Sequence, residues 1–403
     1  MQPAYIIDAV RTPRGRGRRD GALARFSPLW LTQTVLRALR ERNQLAADDP
    51  EDIIFGVVES VDDQGGNLAR VAALQAGFSN AVPAMQLNRF CGSGLEAVNL
   101  AAAKIMAGQA DMIIGGGVEC MSLLPFLAEG GAFATDASTV GALNFVPQGI
   151  SADLIATRNG FSRDALDALA VKSHQNAARA WEQGRFERGV IPVLDSNGRL
   201  GLARDENVRA DASVSAMAAL KPAFEAMGVK GGFDRLAQQS YPEMDALRHD
   251  HTAGNSSAIV DGAAAVLLAS ASACERSGLK PRAVLRAFAQ VGIDPTEMLT
   301  GSPQAVRLAA RRAGITLDDI GLVEVNEAFA AVPLHFMRDT GIGVERINVN
   351  GGAIAMGHPL GASGAMLLGT LVDEMERSGT RFGAVALCVG LGMSVAAIVE
   401  RMP

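Results

Sequence analysis

Short apolar runs alternate with stretches of helical periodicity along the chain. The runs at 52–56, 112–115, 320–323 and 385–388 have the length and composition of buried strands. Between them, apolar side chains recur every three to four residues, as in helices that cover a sheet. Alternating strands and helices of this kind predict an α/β protein with mainly parallel sheets.

The pattern occurs twice, with an offset of roughly 270 residues. The segment 36–56 resembles 308–323, and Cys91–Gly94 resembles Gly361–Gly364. This offset is too long for the repeat of a solenoid, and it predicts two similar α/β halves.

The region 121–245 separates the two halves and is poorer in strand signals. Its clearest helix begins at Ser162, a residue type that caps helix N-termini, and stops at Gly184. We therefore predict an N-terminal half of residues 1–120 plus 246–272, an inserted loop domain of residues 121–245, and a C-terminal half of residues 273–403.

Cys91 lies where the glycine-loosened turn Cys91–Gly94 meets an amphipathic helical stretch. The apolar positions on one face of that stretch are Leu95, Val98, Ala102, Ile105 and Met106. The cysteine is therefore predicted at a helix N-terminus, where unpaired backbone N–H groups and the helix dipole favour the thiolate. Such a thiolate would serve as a nucleophilic acyl carrier. The alternative is a small buried core cysteine.

Three motifs in the last third of the chain place further reactive groups in turns or at the ends of apolar runs. They are Asn326–Phe329, the glycine-rich turn Gly357–Pro359 with His358, and Cys388–Gly392 after a predicted strand. Such turns carry chemistry and let the backbone approach ligands closely. Together with Cys91, they supply two thiols, an imidazole and an amide.

With these four motifs in this order, the chain resembles the thiolase family over essentially its whole length. Further stretches that agree with the family pattern are Asp8–Pro13, Gly117–Ser122, Leu220–Phe224 and Ala253–Ser257. Two positions depart from it, because Leu391 replaces the middle glycine of the last loop and Ala258 replaces the glycine after the serine pair. The departures keep every reacting group but could reshape the acyl or pantetheine tunnel. The resemblance implies the duplicated, five-layered α-β-α-β-α thiolase fold with a loop domain that covers the coenzyme.

The resemblance also implies a role for each reactive side chain. His358 takes the proton of Cys91, and Cys91 attacks the keto carbon of a 3-ketoacyl-CoA. After the Cα–Cβ bond breaks, Cys388 protonates the acetyl-CoA enolate and then activates the incoming coenzyme A thiol. The implied activity is that of an acyl-CoA:acetyl-CoA C-acyltransferase, with coenzyme A as a substrate and no cofactor.

Two oxyanion sites and three coenzyme contacts follow from the same resemblance. His358 and a water held by Asn326 would stabilise the enolate oxygen, and the backbone N–H groups of Cys91 and Gly390 would stabilise the tetrahedral intermediate. The residues implied to contact coenzyme A are Ser257, Ala328 and Phe329. Taken alone, Ser257 would be interpreted as a helix cap, Phe329 as a core residue and Asn326 as a turn amide.

Bulk properties predict a cytoplasmic enzyme. The formal net charge of −6 gives no general attraction to nucleic acid, and no uninterrupted apolar run reaches roughly 18 residues. No signal peptide precedes the first apolar run at Ile6 and Ile7. The one basic cluster is interpreted as a solvated loop, with a contact to the coenzyme phosphates as the minority alternative; it comprises Arg11, Arg14, Arg16, Arg18 and Arg19.

Cysteine and histidine usage gives no disulfide framework and no metal site. Four cysteines in 403 residues are too few for a disulfide scaffold, and Cys120 and Cys274 are interpreted as structural. His249 and His251 form a His-x-His pair, but no third or fourth ligand follows at zinc spacing.

The stretches Arg11–Gly17, Asn88–Cys91 and Asp250–Asn255 look most like the thiolase subunits of bacterial fatty-acid-oxidation complexes. They predict a degradative 3-ketoacyl-CoA thiolase. The resemblance and the prevalence of symmetric homo-oligomers predict a homodimer or tetramer, and the resemblance implies a hydratase/dehydrogenase subunit as a possible partner in a larger complex. The alternative is a short-chain acetyl-CoA acetyltransferase that makes or cleaves acetoacetyl-CoA. More distant alternatives are a ketoacyl synthase, which would not need Cys388, and a non-catalytic acyl-CoA-binding subunit.

Overall fold

The computed structural model describes residues 2–403. Its strands are β1 (Ala4–Arg11), β2 (Gly15–Arg16), β3 (Asp52–Gly56), β4 (Ala84–Leu87), β5 (Met112–Cys120), β6 (Val193–Leu194), β7 (Leu200–Leu202), β8 (Val260–Ala269), β9 (Ala283–Gly292), β10 (Ile320–Val325), β11 (Phe382–Val389) and β12 (Met393–Arg401).

The helices alternate with these strands in both halves, and a short 3₁₀ turn spans Asp62–Gln64. They are α1 (Pro28–Arg42), α2 (Leu68–Gln75), α3 (Ser93–Met106), α4 (Ala132–Thr135), α5 (Ala137–Ala142), α6 (Gln148–Asn159), α7 (Arg163–Glu182), α8 (Val214–Ala218), α9 (Glu225–Gly231), α10 (Phe233–Ser240), α11 (Ala271–Ser277), α12 (Ser302–Ala313), α13 (Ala331–Thr340), α14 (Ala353–Met356) and α15 (Ser363–Ser378).

The main sheet has ten strands in the order β10-β11-β12-β9-β1-β8-β5-β3-β4, with β2 paired to β8. Only β10/β11, β3/β5 and β3/β4 are parallel, and the other pairs are antiparallel. The prediction of mainly parallel sheets is therefore wrong. The short turn that joins β11 to β12 makes these two strands antiparallel. The neighbours β12, β9, β1, β8 and β5 also pair antiparallel, although no short turn joins them.

Three hydrophobic clusters divide the molecule into five layers. The central cluster holds α3 and α15 between the two halves of the sheet, with side chains such as Leu95, Val98 and Leu368. One outer cluster packs α1 and α2 on β3, β5 and β8, and the other packs α12 and α13 on β9 to β12. The α-β-α-β-α arrangement implied by the resemblance is confirmed.

The internal repeat is visible in the sheet topology. The parallel pair β3/β5 and the antiparallel neighbours β8 and β1 have counterparts in β10/β11, β12 and β9. Helices α3 and α15 take equivalent positions and contact each other in the central layer. A duplicated α/β unit therefore places the starts of these two helices side by side.

The region between β5 and β8 is mainly helical, as its weak strand signals predict. Helix α7 begins after Ser162, whose side chain accepts a hydrogen bond from the Ala165 backbone N–H at 3.2 Å, and ends before Gly184, which has φ of 70°. The only strands of the region within residues 2–403 are β6 and β7. None of the helices in residues 2–403 combines the length and the apolar character needed to cross a membrane.

Candidate active site

Cys91 lies in the turn that joins β4 to α3, one residue before the helix cap Gly92. Phe90 adopts φ of 43°, which a bulky residue seldom takes, and the turn is held by Ser93. The Ser93 Oγ accepts from the Arg89 backbone N–H at 2.8 Å and donates to the Phe90 carbonyl at 2.6 Å. The predicted position of Cys91 at a helix start is confirmed.

The thiolate expected from the helix start is not favoured in the resting site, because burial outweighs the effect of the helix start. The expectation that Cys91 needs a base agrees with this burial. Burial raises the pKa of the Cys91 thiol to about 11, although a hydrogen bond from Gln148 and the backbone N–H groups of Cys91 and Gly390 lower it. The Gln148 Nε2 lies 4.0 Å from the Cys91 Sγ. The thiol is therefore neutral at pH 7 and requires a base before it can attack.

Cys388 is the second thiol of the site and lies near the end of β11. It is buried, and both its burial and the neighbouring charge of an ionised Cys91 raise its pKa. The following turn brings the Gly390 N–H to the sulfur of Cys91. Leu391, where the family usually has glycine, sits in this turn with φ of 61°. The departure therefore places a side chain in backbone that favours glycine.

His358 is held by hydrogen bonds at both ring nitrogens. Its Nδ1 lies 2.5 Å from Ser363 Oγ, which donates to the Pro359 carbonyl at 2.9 Å, so Nδ1 carries the proton and donates. Its Nε2 lies 3.3 Å from the Asn326 Nδ2 and accepts. Burial, assisted by the positive charge of Arg14, lowers the pKa of His358 to about 3. The imidazole is neutral, and the Nε2 lone pair, which faces Asn326, is the position at which it can take up a proton.

Asn326 follows β10 and is buried beside His358. Its Oδ1 is buried without a hydrogen-bond partner in the described residues. A buried amide oxygen of this kind has the chemistry to hold a water, as the resemblance implies for Asn326.

The Glu119 side chain joins the segment after β3 to the turn that follows His358. The Glu119 carboxylate accepts from the backbone N–H groups of Val58 at 3.0 Å and Gly361 at 2.9 Å. Burial raises the pKa of Glu119 to about 7 despite these bonds. Leu360, next to His358, packs with Val58 against Cys91. Glu119 and Gln148 carry no local sequence signal of a role in the site, because their partners are distant in sequence. Ser363 lies only five residues from His358, but a serine after a glycine-rich turn does not by itself indicate a bond to the imidazole.

The interpretation of the basic cluster as a solvated loop is wrong for its first two members. Arg11 is buried and donates to both carboxylate oxygens of Asp205, at 2.7 and 2.9 Å. Arg14 is buried below the histidine, where burial lowers its pKa to about 10. Arg16, Arg18 and Arg19 are exposed, as predicted.

The residues implied to contact coenzyme A lie together on the loop-domain side of the histidine. The Ser257 backbone N–H donates to the Ala328 carbonyl at 2.9 Å. Phe329 packs edge-to-face against Phe224 and against the ring of His251, each at 5.7 Å. Their role in coenzyme binding stays a prediction.

An apolar cavity of about 720 Å³, counted with its open mouth, reaches the sulfur side of Cys91. Its wall contains Phe90, Leu360 and Met298 from the two halves, and Phe133 and Phe145 from the inserted region. Ser257, Ala328 and Phe329 contribute nothing to this wall. The cavity is therefore separate from the residues implied to contact the coenzyme.

His249 and His251 share a carboxylate. The Nδ1 atoms of both rings bond to Asp153, at 2.9 and 2.8 Å, and the Nε2 of His249 bonds to Asp234 at 3.1 Å. These bonds join α6 to α10. They engage three of the four ring nitrogens that a metal would need, and the fourth, the Nε2 of His251, accepts a hydrogen bond from the Ala331 N–H.

Comparison with known proteins adds family evidence to this geometry. Residues 4–231 match the family model described as "Thiolase, N-terminal domain", and residues 279–401 match "Thiolase, C-terminal domain". The chain is 40% identical to a 3-ketoacyl-CoA thiolase of Pectobacterium carotovorum, with 100% of both chains covered. It is also 40% identical to an acetyl-CoA acetyltransferase of Chromobacterium violaceum, which covers 98% of this chain and 99% of the relative. The crystal structure of the Bacillus anthracis acetyl-CoA acetyltransferase superposes with a TM-score of 0.85 at 31% identity, with 100% and 99% of the two chains covered.

Proposed function

Because the chain belongs to the thiolase family, we propose that it cleaves 3-ketoacyl-CoA with coenzyme A, giving acetyl-CoA and an acyl-CoA shortened by two carbons. The observation that carries this proposal is the surroundings of the Cys91 sulfur. Two backbone N–H groups, a second thiol and an apolar cavity meet there. These are the groups needed to form, hold and release an acyl thioester.

In the first half-reaction, Cys91 attacks the keto carbon while His358 accepts the thiol proton on Nε2. The resulting oxyanion is stabilised by the N–H groups of Cys91 and Gly390. The Cα–Cβ bond then breaks, and its electron pair forms the enolate of acetyl-CoA. Cys388 protonates the enolate carbon, which leaves an acyl group on Cys91 and a thiolate on Cys388.

In the second half-reaction, the Cys388 thiolate takes the proton of an incoming coenzyme A thiol. The coenzyme thiolate attacks the acyl-Cys91 thioester, and the same two N–H groups hold the second tetrahedral oxyanion. Collapse of the intermediate expels the Cys91 thiolate, which recovers its proton from His358. Coenzyme A is consumed in thiolysis and would be released in the reverse condensation, and the scheme uses no cofactor.

Mass spectrometry tests the covalent step. Mixing the protein with a 3-ketoacyl-CoA in the absence of free coenzyme A should add one acyl group to the peptide that contains Cys91. The control is Cys120→Ala, because Cys120 is buried elsewhere in the sheet and should leave the adduct unchanged. An adduct that persists in Cys91→Ala would refute the assignment.

The degradative subtype is favoured over the acetoacetyl-CoA alternative by the cavity at Cys91. The wall around Cys91 is mainly apolar, with Phe90, Phe133 and Leu360 among its residues, and such a wall suits an aliphatic chain better than a lone acetyl group. Thiolysis rates over 3-ketoacyl-CoAs of increasing length decide the question. Activity confined to acetoacetyl-CoA would favour the short-chain enzyme.

We also propose a cytoplasmic homodimer or tetramer with a hydratase/dehydrogenase subunit as partner. Support for self-association comes from β4, which ends the sheet and leaves Met85 40% exposed, beside the exposed Val71 and Leu74 on α2. An open strand edge with apolar neighbours can pair with a second copy. Light scattering at near-physiological salt, with identification of co-eluting chains from the host, tests both assemblies.

A further inference from the structure

Seven of the sixteen residues in the cavity wall come from a segment with almost no core of its own. This segment, residues 121–147, is called the cap here; it connects β5 to α6 and contains α4 and α5. Neither of its helices has a buried residue, and Leu123, Phe126, Leu127 and Leu143 are exposed. A segment that buries so little is positioned by the few polar contacts it makes to the body of the protein.

Glu59 makes the central contact of this kind. Its side chain is 4% exposed, and it follows β3 on the floor of the cavity. One carboxylate oxygen accepts from the backbone N–H of Leu127 at 2.7 Å, and the other accepts from that of Glu129 at 2.8 Å. Both oxygens of the carboxylate are thus engaged by the cap.

A second contact joins the same turn of the cap to the turn that contains Cys91. The Glu129 carboxylate accepts from the Asn88 Nδ2 at 2.7 Å, and the Asn88 Oδ1 accepts from the Phe90 backbone N–H at 2.8 Å. Phe90 in turn meets the cap residue Phe133 edge-to-face at 5.6 Å, and Phe133 meets Phe145 at 5.5 Å. By fixing the position of the cap, Glu59 therefore also fixes the position of the aromatic side chains in the cavity wall.

We propose that Glu59 is a positioning residue that determines acyl-chain specificity, by holding the cap over the cavity that receives the tail of the acyl group on Cys91. The inference rests on the proposed function. The tail has this route because the coenzyme contacts lie outside the cavity wall. Glu59 touches no reacting atom, so its effect grows with the length of chain that reaches the cap.

The chemistry of the contact explains why a carboxylate is needed. An anion that accepts two backbone N–H groups makes charge-assisted hydrogen bonds, each contributing about tenfold or more to an equilibrium. In Glu59→Gln the amide oxygen can accept from one N–H, while the amide nitrogen faces the other and cannot accept. The substitution therefore disfavours the position of the cap over the cavity, while the volume of the side chain hardly changes.

The experiment compares wild type, Glu59→Gln and Asp136→Asn. Asp136 is the matched control, because it is an acidic residue of the cap that bonds only to Ser138 and Thr139 of its own helix. Two quantities are measured: the ratio of kcat/KM for 3-ketodecanoyl-CoA to that for acetoacetyl-CoA, and hydrogen exchange at the amides of Leu127 and Glu129. The second reports the contact directly, even in a variant with little activity.

In Glu59→Gln, the two amides should exchange about tenfold faster and the kcat/KM ratio should fall about tenfold. In wild type, each methylene that the closed cavity buries adds a factor of about four to kcat/KM, and Glu59→Gln should flatten this slope. Asp136→Asn should keep the wild-type ratio.

Equal loss for all chain lengths, an unchanged ratio, or wild-type exchange at both amides would overturn the role of Glu59. Wild-type protein that cleaves no 3-ketoacyl-CoA of any length would instead overturn the proposed function, and the exchange rates would still report on the contact.

Discussion

The protonation state of the resting site is the sharpest consequence of its burial. Burial places the pKa of Cys91 at about 11 and that of His358 at about 3. At pH 7 the Cys91 thiolate is therefore four pH units from its midpoint, a fraction of about one in ten thousand. A free cysteine with pKa of about 8.5 would have about 3% thiolate at the same pH. The resting enzyme should hold a neutral thiol and a neutral imidazole.

Alkylation of Cys91 by iodoacetamide measures this state. Because only the thiolate reacts, the rate should rise about tenfold per pH unit from pH 6 to pH 9 without a plateau. Mass spectrometry of the Cys91 peptide separates its modification from that of the other thiols. A plateau with a midpoint between pH 6 and pH 8 would refute the reasoning, since it would reveal a thiolate–imidazolium pair that exists before substrate binds.

The variant His358→Ala separates the effect of the base on the reactivity of Cys91 from the effect of burial. If His358 accepts the proton as the sulfur attacks the keto carbon, its loss should lower the rate of Cys91 acylation by a 3-ketoacyl-CoA at pH 7 by about 10²-fold or more. His174→Ala is the matched control, because His174 is also buried and neutral, with burial lowering its pKa to about 4, but lies in α7. An unchanged rate in His358→Ala would remove His358 from the role of base.

Three further predictions follow from single contacts. Cys388→Ala should still acylate Cys91 from an activated acyl-CoA but lose about 10²–10⁴-fold in complete thiolysis, and near-normal turnover would show that another group is the acid. Leu391→Gly should change the free energy of unfolding by no more than about 1 kcal/mol, because φ of 61° suits glycine. The kcat/KM for medium-chain substrates should fall, because the side chain of Leu391 belongs to the cavity wall. An unchanged dependence of kcat/KM on chain length would exclude Leu391 from the wall. Burial lowers the pKa of His249, but hydrogen bonds to Asp153 and Asp234 outweigh it and raise that pKa. The contribution of His249 to stability is therefore complete below about pH 6.5 and is lost as the pH rises through the raised pKa. The Tm difference between wild type and His249→Gln should shrink from pH 5.5 to pH 9, and a constant difference would contradict this.

The sequence predicted the positions of the reactive groups better than their chemical state. Helical periodicity after Cys91 and the apolar run before Cys388 were enough to place both thiols at the ends of elements, because these signals are local. The pKa of Cys91 depends instead on Gln148, Gly390 and the burial of the site. Their approach to the sulfur is decided by tertiary packing, which local periodicity does not encode.

Strand direction and the state of Arg14 were missed for a similar reason. Alternating strands and helices indicate parallel pairing only where a helical crossover joins two neighbouring strands of the sheet. Strands β8, β9 and β12 instead pair antiparallel with their neighbours. A run of arginines is usually solvated. Here the Asp205 carboxylate, far along the chain, accepts from the backbone N–H of Arg14 at 2.8 Å and pairs with Arg11.

The internal repeat gains a physical explanation at the contact between its two halves. The turn that starts α3 ends in Gly94, and the equivalent turn that starts α15 ends in Gly364. A Cβ at Gly94 would lie 2.5 Å from the Gly361 carbonyl oxygen, and a Cβ at Gly364 would collide with the backbone of Leu95. Each half therefore needs glycine at the same repeat position to let the other approach. The same contact holds the Cys91 turn of one half against the His358 turn of the other, so the glycines that make the repeat recognisable in the sequence are also those that permit the active site to assemble.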